Sequence, residues 1–272
     1  DGLPMIVRTY NQCKKVTDQK NIVVATDSRK IKKVCDNYEI NSIITSQNCL
    51  TGTDRIAQVS TKIKRDYYIN VQGDEPIIPP KDIRKIIKET IKFKNFITNG
   101  YTKIKNKNFF LNANIPKLVF NKKKELMYMS RAPIPLNKKK TFSNGYRQVC
   151  VYGFPKKTLS IFLQNKKKTH LEQIEDIEIL RFLELGLKIK MIKLSDQFNS
   201  VSFLDKVQIG KLNFYPINFD LKEMPKNLKS LDELFDLGLL KVTELSDEGV
   251  VSRVEVYNDS EFNLLILDGE AI

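Results

Sequence analysis

Between Pro4 and about Leu194, short apolar runs alternate with segments of helical spacing. That rhythm restricts the chain to α/β architectures assembled from βαβ units. Ile22-Val23-Val24-Ala25 is a strand-like run that ends in Thr26-Asp27-Ser28, a cluster suited to start a helix. Ile31, Val34 and Cys35 follow at helical spacing, Ile43-Ile44 begins a second strand, and Ile56 to Ile63 reads as a helix. Tyr67 to Val71 is a third strand and Ile83 to Ile91 a further helix. Leu118 to Met129, Gln148 to Phe154 and Ile189 to Leu194 read as more strands, and Leu171 to Leu187 as one long helix.

Past Asn199 the rhythm stops, which puts a boundary near residue 202 and divides the chain into 1–202 and a β-rich 203–272. In that second part Leu231 to Leu240 reads as a short helix. Val250 to Val256 and Phe262 to Leu267 read as an antiparallel pair joined through Asn258-Asp259-Ser260.

Composition narrows the function classes. The net charge is +14, but much of the excess sits in three lysine runs, Lys122 to Lys124, Lys138 to Lys140 and Lys166 to Lys168. Each run falls between periodic segments, so a solvated loop explains it better than a nucleic-acid surface. The four cysteines are scattered, which argues for reduced, buried thiols and against a zinc cage. The chain has no apolar stretch of membrane-spanning length and no signal-peptide pattern, so neither a membrane nor an export route is expected. His170 is the only histidine, and neither a dinucleotide glycine fingerprint nor a phosphate-loop lysine motif is found. Triad hydrolases, dinucleotide enzymes and phosphate-loop NTPases are therefore disfavoured.

Four clusters lie at expected strand ends or helix starts. Asn70-Val71-Gln72-Gly73-Asp74-Glu75-Pro76 closes the third strand and delivers Asp74 to the carboxyl edge of the sheet, where such folds bind ligands. Asp74 there suits a metal facing a phosphorylated substrate. Thr51-Gly52-Thr53-Asp54-Arg55 precedes a helix and allows close backbone approach to a flat or anionic ligand, although Thr53 would serve equally as a plain helix cap. Ser130-Arg131-Ala132-Pro133 holds Arg131 in a stiffened loop, its planar fork suited to a carboxylate or phosphate. Glu172, Glu175 and Asp176 share one face of the expected long helix. The expectation is that Asp74, Arg131 and these acids share one pocket.

In this order the clusters resemble the 3-deoxy-manno-octulosonate (Kdo) cytidylyltransferases, over roughly residues 2 to 200. The likeness rests on Gly2-Leu3-Pro4-Met5-Ile6, Val24-Ala25-Thr26-Asp27, Thr51 to Arg55, Val71 to Pro76, Ser130-Arg131-Ala132, Val151-Tyr152-Gly153 and Leu171-Glu172-Gln173-Ile174-Glu175. The resemblance implies a Rossmann-like nucleotidyltransferase with a mostly parallel sheet flanked by helices. It implies Mg²⁺-dependent transfer of CMP from CTP to Kdo for lipopolysaccharide synthesis, in a cytoplasmic homodimer that needs no nucleic acid or membrane. It assigns catalysis to Asp74 and Arg131, the metal to Asp74, and nucleotide contacts to Thr51, Gly52, Thr53 and Asp54. Gln72, Arg131, Gln148, Tyr152, Glu172 and Glu175 are to line the sugar site.

Three departures qualify that expectation. Family members open with a strand and a loop rich in Arg, Pro, Gly and Lys that grips the triphosphate, which this sequence lacks, and Leu3 stands where a lysine is usual. Gln148 replaces the family's histidine and cannot carry charge, which leaves room for 8-amino-Kdo or a sialic-acid-like keto-sugar. The late aspartate that supplies a second metal ligand has no counterpart around Asn199 to Asp205. Slow or no turnover is therefore expected. From about Phe203 onward the chain resembles the start of an ARG-and-rhodanese-phosphatase-superfamily-associated domain, carried by Leu240 to Glu244 and Leu265 to Glu270. From a different class, a basic, non-catalytic binding module is the competing reading.

Overall fold

The computed structural model describes residues 3–195 in full and, beyond them, the backbone of short strands only. The chain divides into two compact units, Asp1–Asp196 and Gln197–Ile272. In the first unit the elements run α1 (Met5–Lys14), β1 (Val24–Thr26), α2 (Arg29–Asn37), β2 (Ser42–Ile44), α3 (Gly52–Lys62) and β3 (Tyr67–Val71). They continue with α4 (Pro80–Lys92), β4 (Ile97–Ile104), α5 (Lys107–Leu111), β5 (Lys117–Phe120), β6 (Leu126–Ser130), β7 (Gly145–Pro155) and α6 (Lys156–Gln164). The unit closes with α7 (His170–Glu175), α8 (Ile179–Glu184) and β8 (Ile189–Lys193). The expected α/β architecture, a central sheet between helices, is found.

The strand directions correct one part of the expectation. β1 and β2 pair in parallel as a two-stranded sheet, and β4 and β8 pair in parallel within the six-stranded one. The other pairings of that sheet are antiparallel, because β7 runs against each of its neighbours β3, β4 and β5, and β6 runs against β5. Leu118 to Met129 is not one strand either. The turn at Asn121 to Glu125, with Lys124 at a φ of 61°, folds it into the antiparallel pair β5 and β6.

β7 is the spine of the core, and its two faces pack different clusters. Val149 and Val151 face Ile78, Ile83, Ile86 and Ile192, while Tyr152 and Phe154 face Leu159, Phe162, Leu180 and Phe182. Phe182 lies 4.6 Å from Phe162 and 5.5 Å from Phe154, ring centre to ring centre. Burying each such side chain stabilises the fold by about 1.5–3 kcal/mol. Between the two faces Gly153 admits a buried Thr90–Thr98 hydroxyl bond of 2.6 Å. A Cβ there would sit 1.9 Å from the Thr90 hydroxyl oxygen.

The long helix expected from Leu171 to Leu187 is two helices. Asp176 adopts the left-handed conformation at φ 48° and ends α7, and its carboxylate is held by Lys168 at 2.6 Å. Aspartate tolerates that geometry better than most residues. A capping box from Thr169 and Glu172 starts α7. Ile177 and Leu180 are buried as the periodicity implies, but Ile174 is left exposed.

In the second unit, β9 (Val201–Phe203) pairs with β12 (Ile217–Phe219), and β10 (Val207–Ile209) with β11 (Leu212–Phe214), all antiparallel. β13 (Leu228–Lys229) pairs in parallel with β16 (Asn263–Leu264), and β14 (Leu240–Glu244) antiparallel with β15 (Val254–Asn258). The hairpin expected through Asn258-Asp259-Ser260 is thus corrected. β15 pairs along five residues with β14, and Asn263 and Leu264, the described residues of the second expected strand, pair with β13 instead; the rest of both expected strands lies outside the described residues. The helix expected at Leu231 to Leu240 lies outside the described residues, except that Leu240 opens β14.

Candidate active site

The carboxyl ends of β1, β2 and β3 converge on the first turn of α3. Arg55 ties them together, donating to the Thr45 hydroxyl at 2.7 Å and to the Asp27 carboxylate at 3.2 Å. Thr51, not Thr53, is the cap of α3. Its hydroxyl accepts from the Asp54 amide and donates to the Asp54 carboxylate at 2.7 Å. That leaves Gly52 exposed and the Thr53 amide free to serve another partner.

That partner is Glu178, which sequence reasoning missed. One of its oxygens accepts from the Thr53 amide at 2.9 Å and the other from the Gln72 side chain at 3.1 Å. Burial raises its pKa, against the lowering influence of hydrogen bonds from Thr53, Thr51 and Tyr152. Tyr152 continues the chain of contacts. Its hydroxyl reaches Glu178 and accepts from the Gln148 amide at 3.1 Å. Gln148 donates also to Asn99 at 3.1 Å, and Asn99 is anchored on the Val149 and Val151 carbonyls. The signal was present, since Glu172, Glu175 and Glu178 recur every third residue. The helix break at Asp176 then turns the third of them toward β3.

Asp74 stands exposed in the turn after β3, next to Glu75. Desolvation and then the Asp74 charge push the Glu75 carboxyl up to about 7, against a counter-influence from Arg147. The Cys150 thiol is raised by burial and by the charges of Glu75, Glu178 and Asp74, which places these three acids in one neighbourhood. Among the described residues no three His, Cys, Asp or Glu side chains form a ready cage for a metal. Magnesium needs no such cage, since one or two carboxylates and substrate phosphates suffice. An exposed aspartate beside a repelled glutamate fits that requirement.

Arg131 and Glu175 form a second group. The Glu175 carboxylate accepts from Ser130 at 2.6 Å, from the Arg131 amide at 2.8 Å and from Tyr128 at 3.2 Å. Desolvation is the largest single influence and raises its pKa, but these bonds and the Arg131 charge together outweigh it and hold the carboxyl below its usual range. The Arg131 guanidinium donates to the carbonyls of Ala113, Glu175 and Asp176. Buried Lys117 donates to the Arg131 carbonyl. Desolvation first, and then Arg131, bring its pKa down to about 8.

Glu172 joins neither group as a ligand-facing acid. It is enclosed, and both its oxygens accept from Arg181, at 2.6 and 2.7 Å. Arg181 also donates to Asp54 at 2.9 Å and lies 3.9 Å from the Phe162 ring centre. The expected single pocket is therefore two hydrogen-bonded groups. Thr53, Gln72 and Tyr152 meet around Glu178, with Gln148 bonded to Tyr152 and Asp74 two residues beyond Gln72, while Arg131 meets Glu175. Segment 170–184 joins the two.

A family model described as Cytidylyltransferase matches residues 1–189. The chain belongs to the cytidylyltransferase family. A 3-deoxy-manno-octulosonate cytidylyltransferase from Chloroherpeton thalassium is 34% identical over 198 residues, covering 71% of this chain and 79% of the relative. The mitochondrial enzyme of the same name from Arabidopsis thaliana is 32% identical over 213 residues, 76% and 73% of the two chains. A solved CMP:2-keto-3-deoxy-manno-octonic acid synthetase complexed with CTP superposes on the cytidylyltransferase with a TM-score of 0.66 at 27% identity. That match covers 71% of this chain and 80% of the other. A second model, described as an ARG and Rhodanese-Phosphatase-superfamily-associated Protein domain, matches residues 200–272. No helix among the described residues of the cytidylyltransferase is long and apolar enough to cross a membrane.

Proposed function

We propose that the chain activates Kdo: CTP and Kdo give CMP-Kdo and pyrophosphate. The observation that carries this reading is the placement of Glu178, which fastens the α3 turn to Gln72 two residues before Asp74. The exposed Gly52 and the capped turn at Thr51 to Asp54 receive the cytidine. Gln72, Tyr152, Gln148 and Glu178 offer donors and acceptors to the sugar hydroxyls. Arg131, clamped by carbonyls, and Lys117 beneath it fix positive charge for the sugar carboxylate. Glu175 and Glu172 act by holding Arg131 and Arg181 rather than by touching substrate.

In the reaction the sugar's anomeric hydroxyl attacks the α-phosphorus, the bond to pyrophosphate breaks, and the hydroxyl proton is released. Asp74 would hold a magnesium ion, which when bound would supply positive charge against the phosphates. We assign the working species as a cytoplasmic homodimer that feeds lipopolysaccharide synthesis, a state light scattering on the purified chain tests. Titration with CTP decides the main reading. Binding should require Mg²⁺, prefer cytosine over uracil and weaken about tenfold in Asp74→Asn, with slow pyrophosphate release when Kdo is added. Binding indifferent to Mg²⁺, base and Asp74, yet steeply dependent on salt, would instead favour a basic binding module.

Gln148 favours a second reading. It is neutral and buried against Tyr152, so the site lacks a charge that an acidic keto-sugar meets with histidine. Comparing pyrophosphate release with Kdo, 8-amino-Kdo and neuraminate separates the two.

A further inference from the structure

Among the described residues two cations are fully enclosed, Arg181 and Lys117. Arg181 is matched by the carboxylates of Glu172 and Asp54. Lys117 has no such match. Its ammonium donates to the Asn112 carbonyl at 2.8 Å and to the Arg131 carbonyl, and no carboxylate of the described residues pairs with it. A buried charge held by carbonyls alone is costly. A neutral amide side chain carries two N–H groups and could fasten the same two carbonyls without that cost. The charge is therefore retained for something other than fastening.

Both carbonyls belong to segments that hold Arg131. Asn112 precedes Ala113, whose carbonyl takes one guanidinium N–H at 3.2 Å, so Lys117 and Arg131 grip adjacent peptide groups of one turn. The guanidinium donates also to the carbonyls of Glu175 and Asp176. Three of its N–H groups are thus engaged. Among the described residues one N–H on each terminal nitrogen is left, and these two can take an anion.

The charges that face Lys117 come from three elements. Arg131 stands in the turn after β6, and Arg147 lies directly opposite Lys117 on β7, so their side chains leave that sheet face together. Glu175 on α7 supplies the carboxylate that acts on the ammonium. Asp176 is 4.0 Å from the Arg131 guanidinium but is held by Lys168. Four cations therefore surround two carboxylates. Next along the same row, Thr102 on β4 is enclosed, and its hydroxyl has no partner among the described residues. Burial first, and then the Arg131 charge, bring Lys117 down to about 8, against a raising influence from Glu175. An anion that joins this group offsets the like charges and favours the ammonium.

We propose that Lys117 is the positioning residue of the Arg131 turn, and that an acidic substrate seated on the guanidinium draws one proton from solvent onto the Lys117 amine. The inference rests on the proposed reading that Arg131 receives the sugar carboxylate. The neutral amine keeps two N–H groups for the two carbonyls, so the turn holds its shape above the titration midpoint and only the charge is lost. A change of pH therefore separates the electrostatic part of the role from the structural part. Because the protonated form binds the anion better, affinity falls as pH rises through the midpoint. An uncharged ligand has no such coupling, so the same device selects acidic sugars over neutral ones.

The test uses the full 272-residue chain with isotope-labelled lysine. The Lys117 side-chain signals, assigned through bonds, are followed by NMR from pH 6 to pH 10, without ligand, with Kdo and with the methyl ester of Kdo. The midpoint should lie near 8 in the free protein. It should rise by at least about one pH unit with Kdo and stay in place with the ester. In binding titrations the wild type should hold Kdo about fivefold more weakly at pH 9 than at pH 7. Lys117→Met should bind Kdo at least about tenfold more weakly at pH 7, with no dependence on pH and with CTP affinity like that of the wild type. The NMR titration needs no variant, so it decides the matter even if Lys117→Met fails to fold. A free-protein midpoint above 10, or one that bound Kdo leaves in place, would overturn the coupling while leaving the choice of sugar intact. Neuraminate binding and moving the midpoint where Kdo does neither would support the coupling and refute the choice of sugar. Binding of neither sugar would overturn both.

Discussion

Replacing Glu75 by glutamine removes a carboxyl whose folded environment favours the uncharged form. Desolvation and the neighbouring Asp74 raise its pKa from the ordinary 4.5 to about 7. The folded state therefore binds this proton more tightly than the unfolded chain does. Its contribution to stability is fully present below about 4.5 and is lost as pH rises through about 7. At about 1.4 kcal/mol per pH unit the interval amounts to roughly 3 kcal/mol. Residual exposure of the side chain screens the effect, so about 1–3 kcal/mol is expected. Urea unfolding of the wild type and of Glu75→Gln, each at pH 5 and pH 8, reads this directly. The glutamine side chain matches the protonated acid in shape and hydrogen-bonding capacity, so the two proteins should lie within about 1 kcal/mol of each other at pH 5. At pH 8 the variant should be the more stable. Taking the difference between the proteins cancels every other titrating group. Parallel pH profiles would refute the reasoning, because they would mean that Glu75 ionises freely in the folded protein.

Arg181→Leu should destabilise the first unit by about 3–5 kcal/mol in denaturant melts, because it strands Glu172 and Asp54 without a counter-charge. Gly153→Ala should cost at least about 2 kcal/mol in the same melts, since the new methyl meets the Thr90 hydroxyl. Glu178→Ala should weaken CTP binding about tenfold by isothermal titration and cost about 1–3 kcal/mol in the melts, because it leaves the Thr53 amide and the Gln72 side chain without their acceptor. Gln148→His should raise pyrophosphate release with Kdo relative to neuraminate, and an unchanged ratio would separate sugar choice from this position.

The parts of the fold legible in the sequence are those where local pattern and tertiary demand agree. Tyr67 to Val71 reads as a strand and is one, and Ile83 to Ile91 falls inside α4. β4 escaped notice because Thr98, Asn99, Gly100 and Thr102 are polar or lack a side chain, yet all are buried. Their burial is made tolerable by partners far away in sequence, such as the β7 carbonyls that receive Asn99. The direction of β7 is likewise a long-range outcome that no window of residues encodes. At the site, Asp74, Gln72 and the Thr51 to Asp54 turn stand out through glycine and proline punctuation. Glu178 does not, because its role depends on a left-handed aspartate two residues earlier that interrupts an otherwise continuous helical pattern.

The three-way junction of Asp54, Arg181 and Glu172 has a consequence for how sequences like this one drift. Replacing Arg181 alone leaves Glu172 and Asp54 without their shared counterpart, so stepwise change that begins at the guanidinium passes through a crippled intermediate. The three positions should be inherited as one unit, altered together or left alone, even though the first and the guanidinium it holds are 127 positions apart in sequence.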